Sequence, residues 1–287
     1  MTTKAWIRRL ALCAALAANL PGLACAGWEE GRAAFARQDY AVALREFAPL
    51  AEQGDLTAQI YLGLMYAQGR GVPRDDAAAV KWYRLAAEQG SAIAQSRLAA
   101  MYADGRGIAK SHETAVRWYR LAADQGLVDA QYRLGTMYEN GWGVPRDTTT
   151  AVKWYRLAAE QQDAAAQHNL GVMYQNGRGV PKDYAAALKW YRLAADQGLA
   201  LAQNNLGAMF EYGVGVEPDR IAAHALYGFS ASNNPSENNR AGANLKRLSV
   251  LLSGPEFEVA QRLAREMAKP GNLLRALDAY LEKSAGK

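Results

Sequence analysis

A motif that returns every 36 residues constrains this 287-residue chain more than any other feature. Ala-Gln-x-x-Leu-x-x-Met-Tyr begins at Ala58, Ala94, Ala130 and Ala166, and a fifth copy from Ala202 has Phe210 in place of the tyrosine. Trp-Tyr-Arg-Leu-Ala-Ala recurs in step from Trp82, Trp118, Trp154 and Trp190. A fixed period of this length is typical of a solenoid, in which each unit buries its apolar face against its neighbours.

Each repeat encodes two helices. In the third copy, Ala130, Leu134 and Met137 form an apolar stripe at helical spacing, and Gly135 leaves room for the close approach of another helix. A glycine-rich segment then reverses the chain, and a residue with a short polar side chain starts the second helix. The predicted N-cap residues of the five second helices are Asp75, Ser111, Asp147, Asp183 and Asp219.

The end of the second helix differs in one repeat. Gln162 stands where the sibling repeats have Gly90, Gly126 and Gly198. A left-handed conformation at this position should cost a non-glycine residue roughly 1 kcal/mol.

These repeats resemble Sel1-like repeats, the longer-looped relatives of tetratricopeptide repeats. The resemblance covers residues 56 to about 235, and residues 27–55 are similar to a more ordinary tetratricopeptide helix pair. It implies an all-α fold, a right-handed α-solenoid of stacked helix pairs. The motif decays from Leu226, as expected for a terminal repeat, and residues 236–287 are predicted to form C-terminal capping helices.

Residues 1–26 are typical of a secretory signal peptide. Lys4, Arg8 and Arg9 precede a short apolar stretch, and Ala24-Cys25-Ala26 is a small-x-small cleavage site before Gly27. The stretch is shorter than the roughly 20 residues that span a bilayer. We therefore expect a periplasmic or secreted protein without a transmembrane segment.

The remaining chain carries few groups for chemistry. Both cysteines, Cys13 and Cys25, lie in the predicted signal segment, and the three histidines have no metal-ligand spacing. Removing the three basic residues of that segment from 33 leaves 30 against 28 acidic residues, a charge of about +2. This balance gives no case for nucleic-acid binding. We predict neither a catalytic site nor a metal or cofactor site.

Beyond the repeats, a helix is predicted from Ser236 to Leu252, and Ser253-Gly254-Pro255 should begin another. Leu273, Leu277 and Tyr280 suggest a last amphipathic helix. These helices are predicted to cover the open end of the stack. Homodimerisation through the last helix is the alternative.

In the related tetratricopeptide fold, the first helix of each pair lines the concave surface. Positions that vary between repeats on one face of this helix are therefore the candidates for recognition. In the first two repeats they are largely small or apolar, and Ala67 and Ala103 are among them. In the last three they are largely polar, amide-rich and somewhat acidic. We call the following ten residues the binding stripe: Tyr132, Thr136, Glu139, Asn140, His168, Gln175, Asn176, Asn204, Glu211 and Tyr212.

The expected function is that of an envelope scaffold or adaptor that binds a protein or peptide partner on the binding stripe. A binder of peptidoglycan or another glycan is the first alternative, which exposed aromatic residues would favour. A weak β-lactam hydrolase is a more distant one, since the relatives that suggest it are stapled by disulfides that this chain lacks. Trp142 replaces an arginine in one loop and is either an exposed anchor or packed on the adjacent loop.

Overall fold

In the computed structural model, residues 21–234 and 240–286 are described, and every regular element within these ranges is an α-helix. The predicted all-α fold of stacked helix pairs is confirmed. Most of the predicted signal segment lies outside the described residues. Its last part, residues 21–26, belongs to the first helix, so cleavage before Gly27 would fall inside that helix and stays a prediction.

The chain forms two compact units. The described part of the first comprises residues 21–137 and 141–145, and that of the second comprises residues 138–140, 146–234 and 240–286. The helices that begin in the first unit are α1 (Pro21–Ala36), α2 (Tyr40–Glu52), α3 (Leu56–Gln68), α4 (Asp76–Glu88), α5 (Ala92–Asp104), α6 (His112–Asp124) and α7 (Val128–Asn140). Those of the second are α8 (Thr148–Glu160), α9 (Ala164–Asn176), α10 (Tyr184–Asp196), α11 (Ala200–Tyr212), α12 (Arg220–Asn233), α13 (Ala241–Ser249), α14 (Gly254–Met267) and α15 (Leu273–Ala285).

Capping residues define the helix boundaries as the sequence predicts. The five predicted N-caps each accept a hydrogen bond from the backbone N–H three residues later. The first helix of each repeat ends at a glycine in the left-handed conformation, with φ between 64° and 74°. Gln162 has a φ of 67°, which confirms the predicted left-handed residue in place of glycine.

A contact between tyrosine and glycine sets how closely the two helices of a repeat approach. A Cβ on Gly63 would lie 2.5 Å from Cε1 of Tyr83, and one on Gly171 would lie 2.5 Å from Cε1 of Tyr191. Both distances are too short for a Cβ beside the tyrosine ring as it lies there, so glycine at these two positions permits the close approach, whereas the second repeat has the buried Ala99 at the equivalent position. The tyrosines of the Trp-Tyr motif are buried, whereas its tryptophans are only half-buried.

The glutamine of the Ala-Gln motif connects successive helix pairs. The side-chain amide of Gln59 donates to the carbonyl of Ala51 in the preceding pair at 3.2 Å. Its oxygen accepts a hydrogen bond from Gln89 at 2.8 Å. Equivalent bonds recur at Gln95 and Gln167, so in these repeats the buried amide is satisfied both as donor and as acceptor.

The C-terminal tail packs on the last repeats. Leu248 of α13, Leu263 and Met267 of α14 and Leu273 and Leu277 of α15 join the core cluster of α10, α11 and α12. These two leucines of α15 are buried within the chain itself. Homodimerisation through α15 stays a prediction.

One boundary of the tail differs from its prediction. The helix predicted to reach Leu252 ends at Ser249, and Val250 and Leu251 are exposed, so they have no apolar surface against which a longer helix would pack. Its predicted start at Ser236 lies outside the described residues. The helix predicted from Ser253 is present and begins with a capping box between Ser253 and Glu256.

Candidate partner-binding surface

Two residues of the binding stripe, Tyr132 and Thr136, lie in the first unit. Both are half-buried on α7, and the Thr136 hydroxyl donates to the carbonyl of Tyr132 at 3.1 Å. Thr136 also lines a groove of about 460 Å³ together with Ala103, Tyr119 and Trp142. We call this cavity the Tyr119 groove.

Trp142 forms one wall of the Tyr119 groove. Its ring stacks on the imidazole of His112, with centroids 5.9 Å apart and planes 18° from parallel, and 48% of the residue is exposed. The structure therefore combines the two predicted alternatives, because Trp142 packs on the neighbouring repeat and also presents an exposed aromatic surface. Nδ1 of His112 is buried without a hydrogen-bond partner among the described residues.

Glu139 and Asn140 follow on α7 and belong to the second unit. One carboxylate oxygen of Glu139 accepts a hydrogen bond from the Tyr155 hydroxyl at 2.7 Å, and the other pairs with Arg178 at 2.8 Å. Glu139 therefore has two intramolecular partners. The neighbouring Asn140 is exposed.

The stripe residues of α9 differ in their exposure. His168 is partly buried between two amides, with Nδ1 3.2 Å from Oδ1 of Asn169 and Nε2 3.1 Å from Nδ2 of Asn205. Burial lowers the pKa of His168, so its imidazole is neutral at pH 7. Gln175 accepts from the Tyr191 hydroxyl at 2.7 Å, and the exposed Asn176 donates to the carbonyl of Val172 at 2.9 Å.

Helix α13 contacts the three stripe residues of α11. Asn244 donates to Asn204 at 3.0 Å, and Arg247 forms two bonds with the Glu211 carboxylate, at 2.5 and 2.7 Å. Arg247 also donates to the hydroxyl of Tyr212 at 3.2 Å, although 65% of Tyr212 remains exposed. In this conformation a helix of the same chain therefore contacts the stripe positions of the last repeat.

A second role of the stripe was missed by the sequence analysis. Glu139, Gln175 and Glu211 accept hydrogen bonds from the core tyrosines Tyr155, Tyr191 and Tyr227, at 2.7–2.8 Å. Each acceptor precedes its tyrosine by 16 residues, and this constant spacing was the available signal.

In the first two repeats the same acceptor position is occupied by alanine, Ala67 or Ala103. No hydrogen bond to the hydroxyl of Tyr83 or Tyr119 is formed within the described part of the chain. Burial raises the pKa of both tyrosines to about 12, so each hydroxyl is a protonated donor at neutral pH.

Histidine chemistry is limited. Nε2 of His224 lies 2.8 Å from the Ser249 hydroxyl, but that hydroxyl donates to the carbonyl of Leu245 at 2.7 Å, and Nδ1 of His224 is buried without a partner in the described ranges. A nucleophilic triad needs a third group on Nδ1 that orients the imidazole. Among the described residues, no group of three or more His, Cys, Asp or Glu side chains is placed to hold a metal ion, and no helix is long and apolar enough to cross a membrane.

Comparisons with known proteins agree with this architecture. The Sel1 repeat family model matches residues 56–91, 92–127, 128–163, 164–199 and 200–235. A crystal structure of a Sel1 repeat protein from Oxalobacter formigenes is 33% identical, covers 83% of this chain and 98% of its own, and superposes with a TM-score of 0.70.

A second structure, the protective antigen c5321 of uropathogenic Escherichia coli, is 28% identical over 89% of this chain and 70% of its own, with a TM-score of 0.43. A search of curated proteins gave no match.

Proposed function

Because the chain belongs to the Sel1 repeat family, whose members are generally scaffolds for protein–protein interaction, we propose that it is an exported scaffold that binds a protein or peptide segment through the binding stripe. The proposed location is the periplasm or the extracellular medium, after cleavage before Gly27. The proposed activity is binding without catalysis.

The contact between α13 and α11 is the observation that supports this proposal. The stripe positions were chosen because they vary between repeats, and in the last repeat three of them hold a helix that is not part of any repeat. The contacts are amide–amide and arginine–carboxylate bonds, which are typical of the polar parts of a protein interface. The equivalent polar side chains of α9, including the exposed Asn176, are proposed to contact a partner in a similar way.

Site-specific photo-crosslinking in intact cells tests this function, with the probe residue at Tyr132 and a matched control probe at the exposed Lys153 on a second helix. We expect a discrete protein adduct from position 132 and none from position 153. The double substitution Asn140→Ala and Asn176→Ala should then weaken the affinity of the captured partner. Adducts only with glycan would replace the proposal by glycan binding, and unchanged affinity in the double variant would overturn the stripe assignment.

The proposed location has its own test. The N-terminal sequence of the protein purified from the periplasmic fraction or the medium should begin at Gly27. A chain that retains residues 1–26 and fractionates with cytoplasmic markers would contradict export.

A further inference from the structure

The hydroxyl of Tyr119 lacks the acceptor that its counterparts in the last three repeats have. Only 4% of Tyr119 is exposed, and the residue lines the Tyr119 groove. In the last three repeats, the equivalent tyrosine donates to a glutamate or glutamine side chain at the position that Ala103 occupies here. Replacing that side chain by a methyl group removes the acceptor and leaves space beside the hydroxyl.

The loop residue that faces this position is also changed. In the third repeat, Arg178 of the following loop pairs with the acceptor Glu139. In the first repeat, which also lacks an acidic acceptor, Arg106 pairs with Asp76 at 2.6 Å and approaches the carbonyl of Ala67 at 3.4 Å. A charged side chain therefore occupies this place in both repeats.

In the second repeat the residues equivalent to Arg106 and Asp76 are Trp142 and His112, which stack on each other. The ion pair is thus replaced by an aromatic wall, and neither an acidic acceptor nor a loop arginine fills the Tyr119 groove.

The charges along the Tyr119 groove favour an acidic group. Lys110 and Arg133 line it, and Asp104 is the one carboxylate in its lining. Asp129 lies nearby and pairs with Arg133 at 3.4 Å, but both side chains are more than half exposed, so this pair is weak. The half-exposed ring of Trp142 provides apolar surface against which an aliphatic stem can pack.

We propose that the Tyr119 groove receives the glutamate side chain of a peptide partner, whose carboxylate accepts the Tyr119 hydroxyl hydrogen bond while its methylene stem packs on Trp142. The partner thereby supplies the group that Glu139 and Glu211 supply within the chain. A glutamine side chain should bind more weakly because it lacks the negative charge. This inference rests on the proposed function and names the side chain that the scaffold recognises.

Nuclear magnetic resonance of the indole N–H of Trp142 tests the inference directly, with the resonance assigned from a Trp142→Phe sample. The probes are the blocked tripeptides acetyl-Ala-Glu-Ala-amide, acetyl-Ala-Gln-Ala-amide and acetyl-Ala-Leu-Ala-amide. We expect a saturable shift with the glutamate peptide, a weaker one with the glutamine peptide and none with the leucine peptide. An equal response to glutamate and leucine, or no response to glutamate, would overturn the inference.

Two substitutions distinguish binding in the Tyr119 groove from binding elsewhere on the protein and from loss of the fold. Tyr119→Phe should weaken the affinity for the glutamate peptide about tenfold or more, as expected for the loss of one hydrogen bond to a charged group. Ala103→Glu should abolish the response, because the new side chain occupies the site from within. The matched control Ala67→Glu, one repeat earlier, should leave the response unchanged, and circular dichroism of each variant reports whether it is folded.

Crosslinking with the Ala103→Glu variant distinguishes this inference from the proposed function. If the inference holds, the adduct at position 132 is reduced in this variant and retained in Ala67→Glu. An undiminished adduct in a folded Ala103→Glu protein would refute glutamate recognition while the scaffold function stands. Absence of any adduct in the unsubstituted protein would instead count against the scaffold function itself.

Discussion

The first two repeats and the last three contain the same buried tyrosine but treat its hydroxyl differently. In the last three, Glu139, Gln175 and Glu211 accept its hydrogen bond. In the first two, alanine stands at the acceptor position. Every repeat keeps the apolar packing of the tyrosine ring, whereas the polar partner of the tyrosine hydroxyl depends on one position of the first helix. That position decides whether the tyrosine hydroxyl has an acceptor within its own repeat.

The largest effect is expected where the internal acceptor is most enclosed. The Glu211 side chain is 6% exposed and has both Tyr227 and Arg247 as partners. Glu211→Ala should lower the free energy of unfolding by about 2–3 kcal/mol, because a buried hydroxyl and an arginine lose their acceptor. Urea denaturation measures this change. The exposed Glu217→Ala serves as the control and should change stability by less than about 0.5 kcal/mol.

Removing the tyrosine hydroxyl should lower stability in the last three repeats but not in the first two. Tyr227→Phe breaks the bond to Glu211 and should cost about 1.5 kcal/mol, as expected for a hydrogen bond to a charged group. Tyr119→Phe removes a hydroxyl that has no partner among the described residues, so its stability should change by less than about 0.5 kcal/mol. Equal losses in the two variants, measured by urea denaturation, would contradict the distinction drawn between the repeats.

A difference between repeats that is independent of the tyrosine lies at the end of α8. Gln162 holds a φ of 67° where its siblings have glycine. Gln162→Gly should raise the free energy of unfolding by about 0.5–1 kcal/mol, because glycine adopts this conformation without strain. The reverse change, Gly126→Gln, should lower stability by a similar amount. A destabilised Gln162→Gly protein would show that the glutamine side chain makes a compensating contribution.

The contribution of Glu211 to the stability of the last repeat should also depend on pH. The hydrogen bonds from Arg247 lower the pKa of Glu211 below its ordinary value of 4.5. Because the folded state favours the carboxylate, its contribution is present above pH 4.5 and is lost as the pH falls through the lowered pKa. The difference in unfolding free energy between the unsubstituted protein and Glu211→Gln should therefore shrink between about pH 5 and pH 3. A constant difference over this interval would argue against a charged Glu211 in the folded protein.

Much of the fold was predictable because its determinants are local. The N-caps, the left-handed glycines and Gln162 depend on backbone geometry within one turn of helix, and the apolar stripe depends on helical periodicity. The C-terminal limit of α13 was predicted too far along the chain. Sequence periodicity did not show that Val250 and Leu251 have nothing to pack against.

The binding stripe was only partly predictable. Choosing variable positions on the first helix located Thr136 at the edge of the Tyr119 groove and Asn176 at the surface. The same choice included Glu139 and Glu211, which already bind side chains of their own chain. It did not include Tyr119, which belongs to the second helix of its repeat, and did not pair Trp142 with His112.

The sequence by itself determined that this chain is an array of helix pairs, because the repeat period, the caps and the glycine positions act through neighbouring residues. Only the tertiary structure decided which polar side chains already have hydrogen-bond partners within the chain. The partners of Glu211 lie 16 and 36 residues away, and one of them belongs to a helix outside the repeats. A hydrogen bond depends on the distance between two atoms in space. A repeat pattern predicts which residues lie close together only where both residues recur in every copy.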